Sequence, residues 1–116
     1  MQILTKESLD TAIKMCQENE RYRVVIVTEC AIDHNPILDY LSQIEDVNIV
    51  RCFGNPWVKF LNRSIINMIS VPHDVMLGAR ADCVLCSPSV YENEEIKPIL
   101  QTMEMRNINF NLKNEL

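Results

Sequence analysis

The chain has 116 residues, of which 47% are hydrophobic, and its 16 acidic and 11 basic residues give a formal net charge of −5. The length fits one domain over residues 1–116, and the hydrophobic content excludes a wholly disordered chain. The acidic charge disfavours nucleic acid as the main partner, because affinity for nucleic acid comes largely from cations that neutralise phosphates.

The first half of the chain predicts a helix, a strand, a second helix and a second strand. Residues 5–20 carry apolar residues on one helical face, and we expect Thr5 to cap this helix. The β-branched run Val24–Val27 predicts a strand covered on both faces, as in a parallel sheet. Residues 34–46 predict a helix with Asn35 as its cap and Pro36 at its first position, and residues 47–53 predict the next strand of a β-α-β unit.

The second half predicts a hairpin, a central strand, a helix and a last strand. Residues 58–61 and 65–71 flank a polar turn and favour an antiparallel hairpin, and residues 82–87 favour an apolar central strand. Ser89 and Glu92 fit a capping box before a helix with Pro98 in its first turn, and residues 108–113 favour an edge strand. The fold class predicted is α/β, with a central, mainly parallel or mixed sheet of about five strands flanked by helices.

The five cysteines indicate a reduced, intracellular environment. Their number is odd, no signal peptide precedes them, and each lies in an apolar pattern, so we expect buried thiols in a cytoplasmic protein. No apolar run approaches the ~20 residues that span a bilayer, so we expect no membrane partner. Cys83 and Cys86 form a C-x-x-C pattern, but on a strand they point to opposite faces, and we expect no metal site.

The strongest catalytic candidates are Cys30, Asp33 and His34, which follow the first long strand. Ligands bind at the carboxyl ends of strands in open α/β sheets, where a cysteine and a histidine can act as nucleophile and base. The alternative is a polar loop that leads into a helix cap. His73 and Asp74 form a second candidate pair, although adjacent residues seldom orient each other as a catalytic base requires.

The candidate binding residues are one tryptophan and three arginines. Trp57 follows a Gly-Asn-Pro turn, and a lone tryptophan on a loop either contacts a partner or covers the core. Arg51, Arg63 and Arg80, together with Lys59, could form a local basic patch; the alternative is ordinary charge that keeps the protein in solution.

The order of these elements resembles the first half of a P-loop ATPase core of the helicase and phage-terminase type. The similar stretches are TKESLDTAIKMCQ at residues 5–17, RVVIVTE at 23–29, KFLNRSIINMIS at 59–70 and LGARADCVLC at 77–86, so the resemblance covers about residues 3–90. It implies an ATPase-like α/β scaffold.

The same resemblance implies that ATPase activity is absent. The chain has only two glycines, and Thr5-Lys6-Glu7-Ser8 lacks those whose backbone N–H groups would hold phosphates. The magnesium-binding Asp and catalytic Glu of the family would fall on Ser87 and Pro88, which carry no carboxylate. We therefore expect no nucleotide cofactor.

Three functions fit the sequence. The first is a non-catalytic protein-binding or regulatory accessory protein, encoded by a phage or mobile element if the resemblance reflects ancestry; a face of clustered carboxylates that mimics nucleic acid is a special case of it. The second is a small α/β enzyme or ligand-binding domain that uses Cys30 and His34 at the strand ends, with Ser87 opposite. The third is a residual nucleotide or nucleic-acid binder. The missing catalytic groups favour the first.

Overall fold

The computed structural model describes residues 1–51, 56–70 and 81–104, whose strands form one mixed six-stranded sheet. The strands are β1 (Gln2–Ile3), β2 (Arg23–Thr28), β3 (Val47–Val50), β4 (Trp57–Phe60), β5 (Ile65–Ser70) and β6 (Cys83–Cys86). Their order is β1-β6-β2-β5-β4-β3; the first four are parallel, and β4 is antiparallel to both of its neighbours. The predicted α/β fold with a mainly parallel sheet is confirmed, with six strands in the described ranges rather than about five.

Helices cover both faces of this sheet. They are α1 (Lys6–Glu18), α2 (His34–Leu41), α3 (Pro88–Tyr91) and α4 (97–104). The buried residues of α1 and α2 belong to one hydrophobic cluster, and those of α3 and α4 belong to a second cluster on the other face. The described chain is therefore one α/β domain of three layers with two cores.

Strand β2 joins the two cores. Val24 and Ile26 are fully buried in the cluster beneath α1 and α2, whereas Val25 and Val27 are buried in the cluster beneath α3 and α4. This arrangement confirms that the β-branched run is covered on both faces. Burial of each such side chain stabilises the fold by about 1.5–3 kcal/mol.

Helix α1 begins where the sequence predicts. Thr5 is its N-cap: the backbone N–H of Ser8 donates to Thr5 Oγ1 at 3.0 Å, and the backbone N–H of Thr5 donates to Ser8 Oγ at 2.8 Å. The hydroxyl of Ser8 also donates to the carbonyl of Ile3 at 3.0 Å, which ties the helix to β1. The predicted apolar face is buried at Leu9, Ala12, Ile13 and Cys16.

The predicted start of α2 is wrong. A 3₁₀ turn, Ala31–Asp33, precedes the helix, which begins at His34, and Asp33 is the N-cap without a side-chain hydrogen bond. Pro36 is consequently the third helical residue, and Asn35 does not cap. The reason is that the turn has already brought the backbone into helical geometry at Asp33, with φ −67° and ψ −14°.

The predicted Ser89–Glu92 capping box is also wrong. Pro88, whose ring fixes a helical φ, is the first residue of α3. Ser89 therefore lies inside that short helix and does not cap it. Asn93 precedes α4 instead, and its Oδ1 accepts from the backbone N–H of Glu95 at 2.9 Å and of Ile96 at 3.3 Å. Pro98 lies in the first turn of α4, as predicted.

Strand β1 and the place of β3 differ from the sequence expectation. No pattern in the sequence indicates β1, which pairs with β6 and is extended by a hydrogen bond from Leu4 N to Cys86 O at 2.7 Å. Strand β3 is separated from β2 by β5 and β4, so the predicted β-α-β unit does not join neighbouring strands. The predicted strand at 108–113 lies outside the described residues, as do Cys52, His73, Asp74 and Arg80.

We expect Thr5→Ala to lower the free energy of unfolding by about 1 kcal/mol, because the N–H of Ser8 loses its acceptor. Thr11→Ala, an identical change at an exposed position within α1, should leave stability unchanged or slightly raised, since alanine favours helix. Urea unfolding of the two variants measures the difference. Equal losses would show that the Thr5 cap does not stabilise the helix.

Candidate functional site

The carboxyl edge of the sheet is the region where the sequence predicted a site. Strand β6 continues into α3 on one face, whereas its neighbours β1 and β2 continue into α1 and α2 on the other face. In open α/β sheets a ligand crevice forms where neighbouring connections separate in this way. Thr28, Cys30 and Ser87 lie at this edge.

The polar groups at this edge bond to one another. Thr28 is buried, and its hydroxyl donates to the carbonyl of Cys30 at 3.0 Å. The backbone N–H of Ser87 donates to Val27 O at 3.0 Å, and its hydroxyl lies 3.4 Å from that of Ser89. Ser87 and Pro88 are the N-cap and first residue of α3, and neither supplies a carboxylate to a metal ion.

His34 is buried at the start of α2, with 2% of its surface exposed. Among the described residues neither ring nitrogen has a hydrogen-bond partner. Burial lowers the pKa of His34 from 6.5, although the nearby backbone of Ile69 and the charge of Asp33 both oppose this change. The imidazole is therefore neutral at pH 7.

Cys30, Asp33 and His34 are close in sequence, but in the described structure Cys30 and His34 do not form a nucleophile–base pair. Cys30 and Asp33 are exposed, while His34 is buried. Because the ring nitrogens of His34 have no partner among these residues, the thiol of Cys30 is not hydrogen-bonded to the imidazole. A nucleophilic cysteine needs such a base or another source of activation.

The other described cysteines have inert thiols. Burial raises the pKa of Cys16 to about 12 and that of Cys83 to about 11, and it also raises the pKa of Cys86. Cys83 packs beneath α1 and α2 and Cys86 on the opposite face, as the strand geometry predicted. The expectation that every cysteine is buried is wrong for Cys30, which is exposed in the connection after β2, and Cys83 is only half-buried. Within the described ranges no three His, Cys, Asp or Glu side chains are placed to hold a metal ion.

The predicted binding residues do not form one patch. Trp57 is the first residue of β4 rather than part of a loop; it is half-buried, and the Nζ of Lys59 lies 4.4 Å from its ring centre. Arg51 directly follows β3 at one end of the sheet, whereas Arg63 lies in the β4–β5 turn at the other end. Arg80 lies outside the described residues.

An apolar groove between α1 and α2 is a candidate binding site that the sequence did not reveal. It has a volume of about 300 Å³ and is lined by Leu4, Thr5, Lys6, Leu9, Pro36, Ile37 and Tyr40. Ile32, which is 72% exposed, lies four residues before Pro36 and extends the apolar surface beyond the groove. We name this surface, from Ile32 to the seven lining residues, the α1–α2 groove.

Hydrogen bonds hold both walls of the α1–α2 groove. The hydroxyl of Tyr40 on α2 donates to the carboxylate of Asp10 on α1, and this bond raises the pKa of Tyr40. The Thr5 cap and the bond from Ser8 to Ile3 fix the other end of α1. Among the lining residues the only charged group is Lys6, and none is a thiol, an imidazole or a carboxylate. The lining is mainly apolar, which suits the groove to binding.

Comparison of the chain with protein-family models, curated proteins and solved structures found no match. Within the described part of the chain, none of the helices has the length and apolar character needed to cross a membrane.

We expect iodoacetamide to modify Cys30 in the folded protein, and Cys16, Cys83 and Cys86 only after unfolding, because the latter three thiols are shielded and protonated. Mass spectrometry that resolves each site measures the rates. Cys30 should react no faster than a small free thiol at neutral pH. A rate at least about tenfold higher would reveal an activated thiolate and favour the enzyme alternative.

We expect stability to fall as the pH drops below about 6.5, since the unfolded chain then binds a proton that buried His34 resists. The contribution of neutral His34 is fully present above pH 6.5 and is lost between that value and its lower folded-state pKa. Urea unfolding at pH 7.5 and 5.5 measures the loss. His34→Gln, which cannot titrate, should show a smaller loss, and an equal loss in both proteins would exclude His34 as the cause.

Proposed function

We propose that this chain is a non-catalytic protein-binding accessory or regulatory protein, and that it holds an apolar element of its partner in the α1–α2 groove. The observation that carries the proposal is the groove itself. It has a volume of about 300 Å³, its lining is mainly apolar, and it is open to solvent. The hydrogen bond from Tyr40 to Asp10 joins the two helices that form its walls. Apolar surface that is exposed and bordered by polar groups is typical of interaction sites.

The shape and charge of the groove indicate the kind of partner. A groove between two helices accepts the apolar face of a helix or a short extended segment. Each apolar side chain inserted there gains about 25 cal/mol per Å² removed from water. Lys6, the only charged residue of the lining, favours a partner with a carboxylate next to its apolar anchor.

The state of the carboxyl edge supports binding rather than catalysis. Cys30 lacks a hydrogen bond to His34. If the resemblance to the ATPases holds, Ser87 and Pro88 stand in place of their acidic residues and supply no carboxylate. The resemblance to helicase-type and terminase-type ATPases is what supports a phage or mobile-element origin for such an accessory protein. On this proposal the scaffold is retained for its surface and not for nucleotide hydrolysis.

A photo-crosslinking amino acid at position 37, within the groove, tests the proposal in extracts of the source cell. We expect one discrete adduct from position 37 and none from position 48, an exposed site on β3 far from the groove. Excess unmodified protein should suppress the adduct, whereas excess Ile37→Asp protein should not. The absence of an adduct, or the same adducts from both positions, would contradict the proposal.

We expect Ile37→Asp to weaken binding of the captured partner at least about tenfold, a loss of roughly 1.4 kcal/mol, because it places a charge in the apolar groove. Tyr40→Phe, which keeps the ring but removes the hydroxyl bonded to Asp10, should weaken it much less. Titration calorimetry with the purified partner measures both affinities. Equal affinity of Ile37→Asp and the unaltered chain would show that the partner binds elsewhere.

A further inference from the structure

Three of the connections that reach the amino edge of the sheet, at the opposite end from the carboxyl-edge residues, carry exposed residues of interest. Arg21 lies in the α1–β2 connection, Glu45 and Asp46 end the α2–β3 connection, and Leu61 and Arg63 lie in the β4–β5 turn. All five are exposed, and Leu61 has 82% of its surface in contact with solvent. We name these five residues the amino-edge patch.

The turn that carries Leu61 is fixed by hydrogen bonds. The side-chain amide of Asn62 donates to Cys16 O at 2.8 Å, at the end of α1. The N–H of Arg21 donates to Asn62 O at 3.2 Å, and the N–H of Tyr22 donates to Ser64 Oγ at 3.0 Å. Leu61 is therefore presented on a rigid base rather than on a free loop.

Backbone strain is concentrated in the same patch. In the described ranges the non-glycine residues with positive φ are Arg21 at 58°, Asp46 at 61° and Arg63 at 72°. Each such residue costs of order 1 kcal/mol, and strain of this kind clusters at functional positions. All three residues are charged and exposed, so the strained backbone presents charge to solvent.

The strand order arranges the charges in a line. Along β2-β5-β4-β3 the patch presents Arg21, then Arg63 and Leu61, and then Asp46 with Glu45. With strands about 4.8 Å apart, the line is roughly 14 Å long, with cations at one end and carboxylates at the other. These four charged groups form no ion pair with one another; the ion pairs in the described ranges are Met1–Glu104 and Lys14–Glu18.

A depression lies on the acidic side of Leu61. It has a volume of about 250 Å³ and is lined by Gln17, Glu45, Asp46, Phe60, Leu61 and Asn62. The patch thus carries an apolar projection, a hollow beside it and opposite charges at its two ends. A surface that contains both halves of a contact is what a two-fold interface requires, because each copy presents the same patch to the other.

We propose that the amino-edge patch is an interface between two copies of this chain. A two-fold axis beside Leu61 places the Leu61 side chain of each copy in the hollow of the other and brings Arg63 and Arg21 against Glu45 and Asp46 across the interface. The contact is small, so the dimer is a weak one that forms at high concentration. The α1–α2 groove lies on one face of the sheet and stays open in the dimer, so the inference does not depend on the proposed function.

Analytical ultracentrifugation from about 5 µM to about 500 µM, where small interfaces associate, tests the inference. The mass of the unaltered chain should rise from 13.4 kDa towards twice that value. Leu61→Asp should raise the dissociation constant at least about tenfold, since it places a charge in the hollow. Ala31→Asp, which places the same charge at an exposed residue at the opposite edge of the sheet and outside the groove, should dimerise as the unaltered chain does.

A charge exchange identifies the partner surface. Arg63→Glu and Glu45→Arg should each weaken the dimer several-fold through repulsion, and the double variant Arg63→Glu/Glu45→Arg should recover it with the charges reversed. Melting temperatures close to that of the unaltered chain establish that each variant folds. A monomer throughout the range, a dimer insensitive to Leu61→Asp, loss of the dimer in Ala31→Asp, or no recovery in the double variant would each overturn the proposal.

Discussion

Strand β2 has no face in contact with water, and this constraint places the other described elements. Its alternating side chains enter two separate cores, so helices are needed on both sides of the sheet. Its edges are equally occupied, with β6 on one side and β5 on the other. Once β2 is enclosed in this way, α1 and α2 must share one face, α3 and α4 must share the other, and the polar side chains must collect at the two ends of the strands.

The two ends of the sheet differ in how far their polar groups are exposed to solvent. At the carboxyl edge, Thr28 and Ser87 use their hydrogen-bonding groups internally, and the nearby His34 is buried without a partner among the described residues. At the amino edge, Arg21, Asp46 and Arg63 direct charge outward from strained backbone. An α/β sheet of this kind usually places its chemistry at the carboxyl edge. In this chain the surfaces best suited to contact another molecule are the α1–α2 groove and the amino edge.

Local patterns in the sequence predicted the elements whose buried faces follow a regular spacing of apolar residues. The spacing of Leu9 and Cys16 indicated α1, and the run of valines indicated β2, because each pattern fixes which faces are buried. Strand β1 has two residues and no periodicity, and it is a strand only because β6 pairs with it. Asn93, and not Ser89, accepts the side-chain hydrogen bonds in the turn ahead of α4, because Pro88 had already started a helix that includes Ser89. Propensities alone do not decide this competition.

The candidate sites could be predicted less well, because they combine distant residues. The apolar spacing of α2 that includes Ile37 is the same whether Ile37 is fully buried or lines a groove. Only the position of α1 in the fold distinguishes a buried Ile37 from one that lines a groove. Ile32 lies in the 3₁₀ turn before α2, four residues ahead of Pro36. Its presence in the sequence was the available indication that this region carries more apolar residues than the buried stripe of α2 requires. The amino-edge patch takes residues from three connections, and their adjacency follows from the order β2-β5-β4-β3, which no local pattern encodes.

The position of β6 also has a consequence for how the chain is made. Strand β6 lies between β1 and β2, although about sixty residues separate its synthesis from that of β2. At 5–20 residues per second, β2 leaves the ribosome roughly 3–12 s before β6, the strand that joins it to β1. During that interval the valine-rich edge of β2 is exposed and competent to pair with another chain. The nascent protein should therefore depend on chaperones or on rapid translation to a degree that its small size does not suggest.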